Sequence, residues 1–238
     1  MYYVLLIMML RILPLLAGIL PLIAMFGAFW IGVANDVLPA CIPFVDGCVS
    51  ISATGRKPPG SFLFRAIMLP QAVLLTAVWY FSALWLLALD AGARPKIARL
   101  MIISGLLGAA ALVVYVTFLG TKEPIYEFMR RTGIYFGFLG TAVAQLSLAL
   151  ALVRVARETH REKLQKIAVF LLWLCAVPFA LGILNMILRA ILEDSNATEN
   201  RIEWIASLLM QLYFFGLYMA WRSTNFTAAV RVSEGTGK

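Results

Sequence analysis

Long unbroken runs of apolar residues alternate with short polar stretches along most of the chain. Six runs reach the roughly 20 residues that a helix needs to cross a bilayer at about 1.5 Å per residue. They lie at about 12–34, 62–89, 98–119, 132–153, 167–192 and 203–221. The pattern predicts an all-α polytopic membrane protein, a six-helix bundle forming one domain over 1–221 with a polar, disordered tail at 222–238. The opening residues MYYVLLIMML are also apolar, and joined to the first run they exceed one crossing. Arg11 is therefore expected at the interface with its stem snorkelling, and Pro14 and Pro21 are expected to kink the first helix. This first run is too long for a cleavable signal. The stretch RETHREKLQK at 157–166 reads as a solvated helical extension between the fourth and fifth spans.

Composition sharpens the class. Hydrophobic residues make up 62% of the chain and charged ones 13%, with mean hydropathy +0.89. A soluble domain is about half apolar and a quarter charged, so this surplus cannot be hidden in one soluble core. The formal charge of +8 would suggest nucleic acid in a soluble protein. Here the cations flank apolar runs, which makes lipid head groups the expected counter-charge and nucleic acid no partner.

Lys and Arg concentrate on one side of the bundle. Arg11, Arg94, Lys96, Arg99, Arg154, Arg157, Arg161, Lys163, Lys166, Arg222, Arg231 and Lys238 share that side. Arg56, Lys57, Arg65, Lys122, Arg130, Arg131, Arg189 and Arg201 share the other, with most of the acids. The bias predicts both termini in the cytoplasm and the first, third and fifth loops facing outward or into a lumen. The membrane is a plasma or bacterial inner membrane, or a Golgi or ER membrane in a eukaryotic host.

Candidate chemistry is sparse. No CxxC pair or His/Cys cluster has zinc spacing, and His160 is the single histidine, so no metal and no cofactor are expected. Nothing matches the common serine-hydrolase or zinc-protease motifs. Cys41 and Cys48 share the outward 35–61 loop, where a local disulfide and two unpaired thiols both remain open. The sequon Asn196-Ala197-Thr198 also faces outward, which permits glycosylation in a eukaryotic host. Asn225-Phe226-Thr227 falls on the cytoplasmic side.

The densest polar stretch is SISATGRKPPGSFLFR at 50–65. Gly55 and Pro58-Pro59-Gly60 dictate turns. Ser50, Ser52 and Thr54 alternate with Ile51 and Ala53, which predicts a short extended segment lying across the helix ends with one polar face. Arg65 sits about one turn inside the second helix, where a cation snorkels toward phosphate or pairs with an acid. Arg130 and Arg131 open the fourth helix after Glu123 and Glu127. That pair suits phosphate at a positive helix end, or simply pairs with the glutamates. Arg65, Arg130, Arg189 and Glu203 are expected to converge on one outward rim. With Asp36, Ser52, Thr54, Arg56, Ser61 and Arg131 they form a candidate lipid head-group site. Cross-bracing of the bundle is the competing role.

The loop's order of residues resembles the Frag/DRAM/Sfk family of six-span membrane proteins. That family includes the damage-regulated autophagy modulators and the Golgi protein of GPI-anchor lipid remodelling. The matching positions are Pro43, Phe44, Ser52, Gly55, Pro58, Pro59 and Ser61, while Gly60 stands where the family commonly has an acid. The resemblance implies six spans and a lipid-linked role: remodelling of lipids, their distribution between leaflets, or regulation of membrane partners. It brings no catalytic mechanism.

Inside the spans, Gln71, Gln145, Asn185 and Gln211 lie in different helices and are expected to face the bundle and bond one another. Gly133, Gly137 and Gly140, with Gly105 and Gly108, form small-residue stripes for close helix packing. No acid stands at mid-depth, which argues against an ion-coupled transporter. Three functions remain: a lipid-handling protein without catalytic machinery, a lipid-remodelling enzyme of acyl transfer or hydrolysis, and an accessory subunit of a membrane-protein complex.

Overall fold

The computed structural model describes residues 2–90, 92–191 and 196–227, the side chains of 2–9, 189 and 190 excepted. Its helices are α1 (Tyr2–Ala34), α2 (Pro43–Asp46), α3 (Ile51–Thr54), α4 (Gly60–Leu89), α5 (Pro95–Thr117), α6 (Pro124–Glu158), α7 (Glu162–Ile191) and α8 (Asn196–Ser223). Among the described residues, six helices (α1, α4, α5, α6, α7 and α8) are long and apolar enough to cross a membrane, and there are no strands. The first part of α1 and the stretch after α8 lie at one end of the bundle. There Arg11 Nε donates to the Phe226 carbonyl at 2.9 Å, and the Phe226 ring lies 4.9 Å from that of Trp221. The bundle therefore continues past the expected boundary at 221, and the start of the tail packs against it.

Helix ends do not follow the apolar runs. α1 passes through Arg11 without a break. α6 starts at Pro124, well before the predicted 132, because proline at the first helical position loses no hydrogen bond and presets φ. Residues 157–166 are not one extension. α6 stops at Glu158, His160 takes φ +51°, and α7 starts at Glu162.

Small residues set the closest helix contact. A Cβ on Gly140 would lie 2.6 Å from the Ser104 carbonyl oxygen, and one on Gly133 would lie 2.6 Å from the Tyr115 amide nitrogen. The glycine stripe thus lets α6 meet α5 backbone to backbone, as small residues do in membranes.

Two of the four intramembrane amides, Gln71 and Gln145, bond main chain on a facing helix. Gln71 Nε2 donates to Ala17 O at 2.9 Å, and Gln145 Nε2 donates to Met210 O at 3.0 Å. The four amides are spread over four helices, and for these two a carbonyl on the facing helix is the acceptor.

Candidate functional site

The end of the bundle opposite the chain termini is built by the 35–59 connection folding onto α8. Pro43 starts the single turn of α2, whose Ile42 amide donates to Asp46 Oδ2 at 2.7 Å. Gly47 ends it with φ +63°, and an added Cβ there would lie 2.0 Å from the Ala197 carbonyl oxygen. Only glycine fits both the conformation and the approach. Three side chains of α8 then capture loop carbonyls. Asn200 Nδ2 donates to Gly47 O at 2.7 Å, Arg201 Nε to Val45 O at 2.6 Å and Trp204 Nε1 to Val49 O at 2.8 Å. The Trp204 ring is fully buried against Phe26 and Phe44, each 5.5 Å away. Cys41 and Cys48 are joined by a disulfide across this turn.

The segment 50–54 is a helical turn where an extended strand was expected. Ser50 Oγ accepts the Ala53 amide at 3.2 Å, capping α3, and Gly55 ends it. Alternation would leave one face to solvent, but Ile51, Ser52 and Thr54 are all buried under this turn. Thr54 Oγ1 donates back to Ile51 O at 2.7 Å. Ser61 is buried in the first turn of α4.

The turn carries Arg56 to the mouth of a cleft. Arg56 donates to Ser52 Oγ at 2.8 Å. Burial, and then the nearby Arg130 guanidinium, hold the Arg56 guanidinium below its ordinary pKa. Glu203 lies against the main chain of Ile51 and Ser52 within electrostatic reach of Arg56. Tyr115 from α5 lies within electrostatic reach of Glu203, Arg56 and Arg130. Arg56 thus has both Arg130 and Glu203 within electrostatic reach.

Other expected members do not join them. The Arg65 guanidinium donates to the Leu119 carbonyl, bracing α4 against the end of α5. Asp36 stands exposed after α1 with φ +55° and makes no ion pair among the described residues. Arg189 has its side chain outside the described residues. Arg130 and Arg131 stand in the second turn of α6, past the first turn where the helix end acts. Glu127 meets Arg131 at 2.6 Å and Arg130 at 3.4 Å.

Below this mouth lies a cleft of about 100 Å³ between α1, α4, α5, α6 and α8. Glu203, Ser207, Gln211 and Gln71 line it among apolar residues. Beside it, a trough of about 500 Å³ runs between α6, α7 and α8 and shares Phe138 and Met210 with the cleft. Apart from Tyr135, Gln145 and Cys175 its walls are apolar. The trough exists because the first half of α6 stands off α8. Tyr135, Phe136, Phe138 and Leu139 are all exposed there, whereas α6 is deeply buried from Ala144 onward. Gln145 bonded to Met210, and Tyr213 Oη donating to Gln145 O at 2.9 Å, close the gap lower down.

Sequence reasoning missed Tyr115, Ser207 and the Asn200, Arg201 and Trp204 clamps. The four-residue spacing of Glu203, Ser207 and Gln211 was a readable signal for one polar helix face. The profile of the Frag1/DRAM/Sfk1/Cwh43P N-terminal domain matches residues 9–223. Neither a curated protein nor a solved structure matches the chain.

Proposed function

The chain belongs to the Frag1/DRAM/Sfk1/Cwh43P family of multi-pass membrane proteins, and on that premise we propose that it handles lipid, seating an anionic head group at the Arg56–Arg130–Glu203 mouth. The acyl chains leave between α6 and α8 into the bilayer. The observation that carries this reading is a polar cluster at the Glu203 end of a cleft whose Phe138 and Met210 walls also line an apolar trough.

The electrostatics support an anion. Arg56 lies within electrostatic reach of Arg130, Glu127 and Glu203, and Arg130 and Arg131 both meet Glu127. Guanidinium groups suit phosphate because their planar forks give two parallel hydrogen bonds. A bound phosphate would also relieve the repulsion between Arg56 and Arg130. The chain's one histidine, His160, sits in the turn between α6 and α7 at the far end, away from every serine of the mouth. Binding and retention of lipid therefore suit this site better than serine–histidine chemistry. With Lys and Arg concentrated at the other end, the mouth faces away from the cytoplasm on this reading.

Native mass spectrometry with lipidomics tests it on the protein purified in mild detergent. Wild type should retain one anionic lipid class, and the Arg56→Ala/Arg130→Ala double variant should retain about tenfold less, as expected for losing charge-assisted hydrogen bonds. Equal lipid retention by both, or a stoichiometric membrane protein in place of lipid, would overturn the reading.

A further inference from the structure

Beneath its charged mouth the cleft presents uncharged polar atoms that have no partner. Gln71 is 1% exposed, and its Nε2 is committed to Ala17 O, which leaves Oε1 as an acceptor without a donor. Ser207 is 3% exposed and its hydroxyl is unpartnered, as is Gln211 Oε1. All three side chains line the cleft. Glu203, Ser207 and Gln211 follow at four-residue intervals on α8, so they descend one face over about 12 Å. That depth approaches half of a bilayer's hydrocarbon core of about 30 Å. Buried polar atoms are nearly always paired. Three unpaired ones around a single cavity mark the place of a missing group.

The chemistry of that group can be read from its surroundings. Below Glu203 no charged residue lines the cleft among the described residues, so the group is uncharged. Two amide oxygens offer only acceptance, and a serine hydroxyl accepts or donates, so the group is a donor such as a hydroxyl. About 100 Å³ holds a few heavy atoms and no whole lipid. The hydrocarbon that carries the hydroxyl has room next door, in the apolar trough on the other side of Phe138 and Met210, which line both cavities.

We propose that the cleft binds the hydroxyl end of an uncharged lipid, with Gln71, Ser207 and Gln211 as its hydrogen-bonding partners and the α6–α7–α8 trough holding its hydrocarbon. This rests on the reading that the gap between α6 and α8 admits lipid. It adds a second class of ligand, distinct from the anion at the mouth.

The test uses the full chain in nanodiscs containing a long-chain alcohol with a diazirine in its hydrocarbon. After photolysis, labelled residues are mapped by mass spectrometry. Label is expected on trough residues such as Phe138 and Met210. Added 1,2-dioleoylglycerol, with a free hydroxyl, should suppress that label, and its 3-acetyl ester should not. Ser207→Ala and Gln71→Met should each lower labelling by about three- to tenfold, as expected for one lost hydrogen bond. Gln71 also braces α1, so Ser207→Ala carries the test if Gln71→Met fails to fold. Equal competition by alcohol and ester, competition by neither, label elsewhere, or unchanged labelling in Ser207→Ala would each overturn the proposal. Arg56→Ala/Arg130→Ala separates the two readings: it should lose the anionic lipid while keeping the alcohol's label in the trough.

Discussion

Replacing Gly140 by alanine should loosen the bundle, while the same change at Gly137, one turn earlier, should leave it intact. A Cβ at Gly140 would lie 2.6 Å from Ser104 O and 2.8 Å from the Gly108 Cα and N. Ordinary contact begins near 3.4 Å, and the atoms in the way are backbone that no rotamer change can move. α5 must therefore retreat by about 0.6–0.8 Å, enough to forfeit a quarter to a half of each contact's attraction along the seam. Overpacking of this kind costs about 1–3 kcal/mol. At Gly137 the nearest atom to a new Cβ is 3.7 Å away, so a methyl group fits without displacement. Both variants gain the same helix propensity, about 1 kcal/mol. Their difference thus isolates the overpacking cost. For a chain of this size it corresponds to a Tm gap of about 2–12 °C. Thermal unfolding followed by tryptophan fluorescence in one detergent measures it. A Gly137→Ala protein melting at or below Gly140→Ala would refute backbone-to-backbone packing at this seam.

Two further outcomes follow from the same frame. Cys41→Ser/Cys48→Ser removes a small closed loop, with partners seven positions apart, and should cost about 2–3 kcal/mol by chain entropy. The melting temperature should fall accordingly, and reductant should have no further effect on the variant. For orientation, a cysteine at Lys57 should react with a membrane-impermeant maleimide on intact cells or sealed vesicles. One at Lys163 should react only after permeabilisation, and the reverse pattern would invert the proposed topology.

The spans were readable because hydropathy over 20 residues is a local property that the bilayer itself imposes. Helix ends were not, since the first turns of α6 lie outside the apolar run and follow proline placement instead. The mouth was half readable. Arg56 has Arg130 and Glu203 within electrostatic reach, and the loop that carries Arg56 is held to α8 because Asn200, Arg201 and Trp204 grip carbonyls of Gly47, Val45 and Val49, some 150 residues away in sequence. No periodicity encodes such pairings. Arg65 and Asp36 were placed by proximity to the membrane surface. The nearby Leu119 carbonyl claims the first, and the second simply faces solvent. The turn at 50–54 misled for a different reason. Alternation of polar and apolar residues speaks for a strand only where one face meets water, and a serine cap with both faces buried favours a helical turn.

A cryo-electron microscopy reconstruction in a lipid nanodisc tests the central claim most directly. The account predicts elongated density in the trough between α6 and α8, ending in a head-group feature within hydrogen-bonding distance of Arg56 and Arg130. An α6 closed against α8 along its whole length, with the trough filled by side chains and no lipid at the mouth, would contradict it.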